Sequence, residues 1–404
     1  MTKRICLVAV IMSVTISLLA QKIEQAKEYL KTNKLSEAKA EIDRFFTMQI
    51  NKKNPDALYT KAKIYSAVAM DAGLAPRFPD ARMDAFIALK QYTEVDDKML
   101  IALQIDGYKP INDIYTGFYT EAATNFNEKK YDRALTGFIN AITVSAFMTQ
   151  KGWISLKLDT NSVLYAGVAA EKLGRLPEAA THYGSLIEAR AKGSGFDEIH
   201  KWIANYYYEL KDYTTATNFL KIGKEVYPGN EFWPALEIDI IRQSGNREQL
   251  FATYEQVISG NPANHLYLYN YAVELCQYAY NIDMAKRPSN SEALINKAQQ
   301  SIRNALQIRP DYTRAQLFAG QIAYNKAIDV LKTNKPAAMQ YLDEAIPYFL
   351  KVEKLISPKA KLTSDEKADL SEVLDLLITI YGQKKMDSKV KEYEQKLNDA
   401  KKRA

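Results

Sequence analysis

A 34-residue unit recurs along the chain, twice in succession without a gap, and it limits how the chain can fold more than any other feature. With Asp197 as position 1, Ala204 falls at position 8, Tyr207 at 11, Tyr213 at 17, Ala216 at 20, Leu220 at 24 and Pro228 at 32. The next unit follows without a gap. Counted from Glu231, Ile238, Ile241, Leu250 and Tyr254 stand at 8, 11, 20 and 24, and Pro262 stands at 32. Large residues at 8 and 20 in that unit predict a hairpin that opens wider or shifts. Upstream, a unit from Thr160 has Gly167, Ala170, Ala179 and Tyr183, and one from Tyr115 has Ala122, Tyr131, Ala134, Phe138 and Ala141. The first unit carries Ala26, Tyr29, Leu35, Ala38 and Ile42. Small residues twelve apart let two helices cross closely, with larger apolar residues filling the space around the crossing, and a proline ends the second helix. A single pair of alanines at this spacing arises by chance; interlocking sets in several units, two of them in phase, do not.

The remaining units carry insertions but keep the half-motifs. Ala62 and Tyr65 pair with Ala85 and Leu89 across an irregular excursion near 66–84, and Ala272 pairs with Ala298, Ile302, Ala305 and Pro310 across another near 281–293. Gly320 pairs with Ala345, Phe349 and Val352, and a degenerate unit with Tyr381 and Val390 closes the chain over 365–404 with a Lys-rich capping helix. The pattern resembles the tetratricopeptide repeat (TPR), a helix-turn-helix hairpin with small residues at positions 8 and 20. The resemblance covers nearly all of residues 21–404 in about nine units. It implies an all-α fold: a TPR solenoid of antiparallel helix hairpins forming a right-handed superhelix, in which each hairpin buries its apolar face only by stacking on its neighbours.

Composition agrees with this reading. Only 16 Gly and 13 Pro in 404 residues disfavour a fold built on many tight turns, and helix formers abound. A formal charge of +6 without a dense basic patch argues against nucleic acid as a partner. At the N-terminus, Lys3 and Arg4 precede an uncharged run from Ile5 to Leu19 that ends at Ala20, the pattern of a secretory signal peptide over 1–20. The competing reading is an uncleaved anchor. Leu18 stands where a smaller residue is preferred, so the cleavage point is less well defined than the segment. The Leu-Leu-Ala-Gln ending resembles secreted proteins of Bacteroidota-type Gram-negative bacteria and implies a periplasmic address. No cysteine follows the apolar run, so a lipoprotein anchor is not expected, and no membrane span is expected after cleavage. Loss of Lys3 and Arg4 lowers the formal charge from +6 to +4, and loss of Cys6 leaves Cys276 alone, without a disulfide partner and read as a small buried hydrophobe.

The run Tyr206-Tyr207-Tyr208 lies within one first helix. Successive helical residues point about 100° apart, so the three rings divide among different faces. Tyr207, at position 11, packs within the repeat, and Tyr206 turns toward an adjacent one. The resemblance assigns positions 2, 5, 9, 12 and 13 to the concave surface, which here places Glu198, Lys201, Asn205, Tyr208 and Glu209 there. The same positions give Asp239 and Arg242 in the next unit, and Leu266, Tyr269, Val273, Cys276 and Gln277 in the one after. Lys201, Asn205, Tyr208, Asp239, Arg242 and Tyr269 are therefore the expected partner-contacting residues, in a groove placed between about Thr160 and Gln277. Mixed aromatic, amide and charged groups suit an extended peptide; solvated or interior-filling roles are the alternative for each. The 27 tyrosines exceed what core packing alone requires. Some TPR domains clamp a carboxylate with Lys at 5 and Asn at 9, followed by an asparagine and further basic residues in later repeats. Here Lys201 and Asn205 are followed by Leu236, Leu266 and Asn270, so the basic half of that clamp is missing.

Catalytic patterns are not found. His182, His200 and His265 are scattered, no H-E-x-x-H occurs, and the Gly193–Phe196 stretch has no Gly-Lys-Ser/Thr after it. The expectation is a non-enzymatic scaffold, without cofactor or metal, that binds a protein or peptide partner. The alternatives are a glycan- or nutrient-binding component of an outer-membrane uptake system, or an envelope-assembly factor. Glycan binding would call for tryptophan in exposed inserts; only Trp153 lies in a connection, while Trp202 and Trp233 lie on repeat helices.

Overall fold

A computed structural model describes residues 21–47, 52–96, 100–280 and 286–402. The proposed signal segment and Cys6 lie outside them. All regular structure among the described residues is helical. The chain divides between Trp233 and Pro234 into two compact units.

In unit 1, α1 (21–31) pairs with α2 (Leu35–Phe46), and α3 (Pro55–Met70) with α4 (Ala81–Val95). A short α5 (Ile101–Ile105) precedes the pair α6 (Lys109–Asn127) and α7 (Tyr131–Gln150). Then come α8 (Thr160–Lys172) with α9 (Leu176–Glu188), and α10 (Phe196–Glu209) with α11 (Tyr213–Val226). The chain passes into unit 2 within α12 (Phe232–Ser244), which is followed by α13 (Arg247–Gly260). The last pairs are α14 (His265–Tyr280) with α15 (Ser291–Ile308), α16 (Thr313–Val330) with α17 (Lys335–Ile356), and α18 (Ser364–Gln383) with α19 (Asp387–Lys402). Of the excursion expected near 66–84, the part between helices is 71–80, with a 3-10 turn at Ala75–Arg77.

The register read from the small residues is repeated in the backbone. Position 15 of six units adopts a left-handed conformation: Asn33, Lys129, Gly174, Lys211, Gly245 and Lys385 have φ between +56° and +73°. In five of these the following amide donates to the carbonyl of position 11, as in Asp212 to Tyr207 at 2.9 Å and Arg175 to Ala170 at 2.9 Å. This Schellman closure satisfies a carbonyl that the ending helix leaves open. Second helices then start on side-chain caps where the sequence allows, as Asp212 accepting from the Thr215 amide and Asn246 from that of Gln249.

The crossings are as close as the small residues permit. Ala26, Ala38, Ala62, Ala85, Ala122, Ala134, Ala204, Ala216, Ala272 and Ala298 are all fully buried. Where position 8 is glycine, the ring at position 24 lies on it: a Cβ on Gly167 would stand 2.4 Å from Tyr183, and one on Gly320 2.4 Å from Phe349. Between α6 and α7 the relief comes from the other side, where a Cβ on Gly137 would meet that of Ala122 at 2.8 Å. The Glu231 unit keeps its large residues: Ile238, Ile241, Leu250 and Tyr254 share one buried cluster. These crossings make each unit a TPR-type stack of hairpins with one layer of first helices and one of second helices.

Candidate partner-binding face

Tyrosine content has a structural explanation that periodicity did not reveal. Phenols tie neighbouring helices together by donating to carboxylates: Tyr65 to Asp43 at 2.5 Å, Tyr59 to Asp106 at 2.6 Å, Tyr115 to Asp159 at 2.8 Å, Tyr183 to Glu171 at 2.8 Å and Tyr271 to Glu255 at 2.5 Å. Burial, and then the carboxylate itself, hold these phenols protonated above their usual range. A charge-assisted bond of this kind is stronger than one between neutral groups, so it suits a boundary between hairpins. Five of the 27 tyrosines thus brace one helix to another, a role beyond filling the core. The Tyr206-Tyr207-Tyr208 run does divide by face. Tyr207 stacks on Phe219 of α11 with centroids 5.5 Å apart, Tyr206 stacks on Trp202, and Trp202 reaches Tyr183 of the preceding hairpin.

The six expected contact residues are shared between the units. In unit 1, Lys201, Asn205 and Tyr208 lie at helical spacing along α10. The Lys201 ammonium is held by its own helix, 2.7 Å from Glu198 and 3.4 Å from Asp197, and these partners raise its pKa. Asn205 is exposed, and the Tyr208 ring leans on Tyr213 at 5.9 Å. In unit 2, Arg242 binds Asp239 within α12, and its Nε donates to buried Glu274 at 2.6 Å while Nη2 donates to Tyr254 at 3.0 Å. Arg247 also donates to Glu274, at 2.9 Å, so this guanidinium pins α12 and α13 to α14. Tyr269 is half-buried and faces elsewhere, against Tyr312 at 5.2 Å and Phe318 at 6.0 Å.

Around Tyr269 a groove opens along three consecutive first helices, α14, α16 and α18. One hollow of about 280 Å³ lies among Tyr269, Arg314, Phe318, Gln321, Asp365 and Asp369. A second of about 300 Å³ shares Phe318 and Gln321 and continues over Val273, Cys276, Gln277, Tyr280, Tyr324, Asn325, Glu372 and Leu376. The α16 and α18 residues lie beyond the Thr160–Gln277 stretch in which the groove was expected. The signal that locates those on α16 was present in the sequence. Counted from Thr313, positions 2, 5, 9, 12 and 13 are Arg314, Leu317, Gln321, Tyr324 and Asn325, and all five line the hollows; in the register that puts Lys385 at position 15, only Glu372, at position 2, of the α18 lining falls on a groove position. Asp365, Ala368, Asp369 and Leu376 on α18, and Phe318 on α16, do not follow from that rule.

His200 and Cys276 both lie in the packed interior. His200 is fully buried, its ring edge-on to Tyr227 and its Nε2 3.4 Å from the Ala191 carbonyl. Cys276 lies in the floor of the second hollow, and burial pushes its thiol up to about 12. Trp153 is packed between Tyr108 and Phe147, Trp233 is buried on Gly223, and no described helix is long and apolar enough to cross a membrane.

No family model matches the sequence, and no curated protein matches it. Among solved structures, the chain is similar to YrrB, a TPR protein with an unusual peptide-binding site, at 15% identity and a TM-score of 0.34 over 56% of this chain and 98% of that one. It is similar also to MamA (residue 41 to the end) from Desulfovibrio magneticus, at 13% identity and a TM-score of 0.33 over 50% and 97%, and to a tetratricopeptide repeat protein from Parabacteroides merdae, at 14% and 0.29 over 77% and 98%. The fold assignment rests on the hairpin geometry of this chain, not on these likenesses.

Proposed function

We propose that the chain is a non-catalytic scaffold that holds an extended segment of another protein against its first helices. The observation that carries this reading is the groove along α14, α16 and α18, where the first helices of three hairpins line two adjoining hollows. Helices packed through fully buried crossings are already ordered, so a flexible segment docking on them pays only for its own ordering. The floor is aromatic and aliphatic and the rim is amide and charged. That combination suits backbone hydrogen bonding with side chains seated in pockets. Export to the periplasm belongs to the same proposal and is supported by the Lys3-Arg4 and Ile5–Leu19 pattern.

The test is co-purification on the full chain, quantified by mass spectrometry, with Tyr269→Ala and Phe318→Ala set against Tyr208→Ala. Partners recovered with the wild type should fall at least fivefold with both groove variants, each still folded by circular dichroism. Retention of every partner by both would overturn the assignment of the groove. Loss with Tyr208→Ala alone would move the contact to α10.

A further inference from the structure

The groove is unbalanced in charge, and the imbalance identifies what it holds. The α18 helix turns Asp365, Ala368, Asp369, Glu372 and Leu376 into it, at the spacing of three and four residues that keeps side chains on one face. Facing these three carboxylates, α16 contributes one cation. Arg314 is bound to Asp365, with Nη2 2.6 Å from Oδ2, and both side chains of that pair are more than half exposed. Glu372 accepts from the Gln321 amide at 2.5 Å, which leaves its charge unbalanced. Arg309, near the same end, lies over the Tyr312 ring and is paired with Asp311.

Asp369 makes no hydrogen bond or ion pair among the described residues, although it lines the first hollow. Burial holds its carboxyl above the ordinary range; Arg314 opposes this, and Glu372 and Asp365 add to it. It stands close enough to Tyr269 to act on the phenol electrostatically. A half-buried carboxylate next to like charges gains from any cation that reaches it, more than an exposed one does. The adjoining Tyr269 and Phe318 rings offer a cation a second favourable surface and give its alkyl stem something to pack on. A ligand ending in a carboxylate meets the opposite situation, three like charges against one guanidinium.

We infer that the occupant of this groove is an extended protein segment bearing lysine or arginine beside an apolar residue, with the cationic side chain seated at Asp369 between Tyr269 and Phe318. The neighbouring apolar side chain fills the second hollow over Val273, Cys276, Ile322 and Leu376. This rests on the scaffold reading and adds to it the chemistry of the partner.

Random heptapeptides displayed on phage and selected on the full-length chain at low salt test it. The wild type should enrich Lys and Arg at least threefold over the starting library, next to aliphatic or aromatic residues. Asp369→Lys should abolish that enrichment, Asp369→Asn should weaken it, and Asp399→Lys on α19 should leave it unchanged. Selected peptides should bind at least tenfold more weakly in 0.5 M salt, because the ion pairs are partly exposed. Enrichment of acidic or purely apolar peptides, or cationic enrichment that persists in both Asp369 variants, would overturn the inference and leave the scaffold intact. No enrichment of any peptide on folded protein would overturn both. If Asp369→Lys does not fold, Asp369→Asn carries the comparison, since it removes the charge and keeps the shape.

Discussion

Single residues in this chain mostly answer to packing, and His200 shows what that costs. It is fully buried, Nδ1 has no hydrogen-bond partner, and its pKa is lowered, first by burial, against the smaller opposing effects of the Ala191 carbonyl and Asp197. A histidine with a folded pKa below its unfolded value binds its proton more readily when unfolded. Stability is therefore intact above about pH 6.5 and is lost as the pH falls through that value toward the folded pKa, by at most about 1.4 kcal/mol per pH unit for one proton. His200→Gln should reduce the fall in urea midpoint between pH 7.5 and 5.5 relative to the wild type. An unchanged fall would place the acid sensitivity elsewhere. His200 stands at position 4 of the Asp197 unit, on a face that the repeat buries.

At the scale of the helix pair, the turn is the most regular feature. Position 15 needs a left-handed residue, yet three units use lysine there: Lys129, Lys211 and Lys385 at φ +61°, +61° and +56°. An L side chain in that region costs roughly 1–2 kcal/mol, part of which glycine returns as lost chain entropy. Lys211→Gly should raise stability by up to about 1 kcal/mol, and Gly174→Ala, at φ +72°, should lower it by about as much. Chemical denaturation read at the midpoint checks both; a loss of stability in Lys211→Gly would contradict the Schellman assignment. Hairpin pairing was legible in the sequence because Ala and Gly at positions 8 and 20 are a direct requirement of close crossing. The Tyr–carboxylate braces were not, because partners such as Tyr115 and Asp159 are 44 residues apart and no short-range pattern joins them. Nor was the role of Arg242, whose position matched a surface rule while its reach to Glu274 is 32 residues along the chain.

For the molecule as a whole, stacking is what turns a local period into a surface. The hollows along α14, α16 and α18 exist because three first helices stand side by side. Position counting carried past Gln277 finds the α16 lining, and it misses most of α18, Asp369 included, because that helix extends before the start of its repeat and its placement depends on how neighbouring hairpins pack. The most direct measurement is site-specific photo-crosslinking in cells that produce the full chain, with the photoreactive residue at Gln321 in the groove or at Gln300 on the exposed face of α15. A discrete protein adduct should form from Gln321, disappear when Tyr269→Ala is added, and be absent from Gln300. Equal adducts from both positions, or adducts from Gln300 alone, would contradict the claim that the first-helix face is where this protein holds its partner.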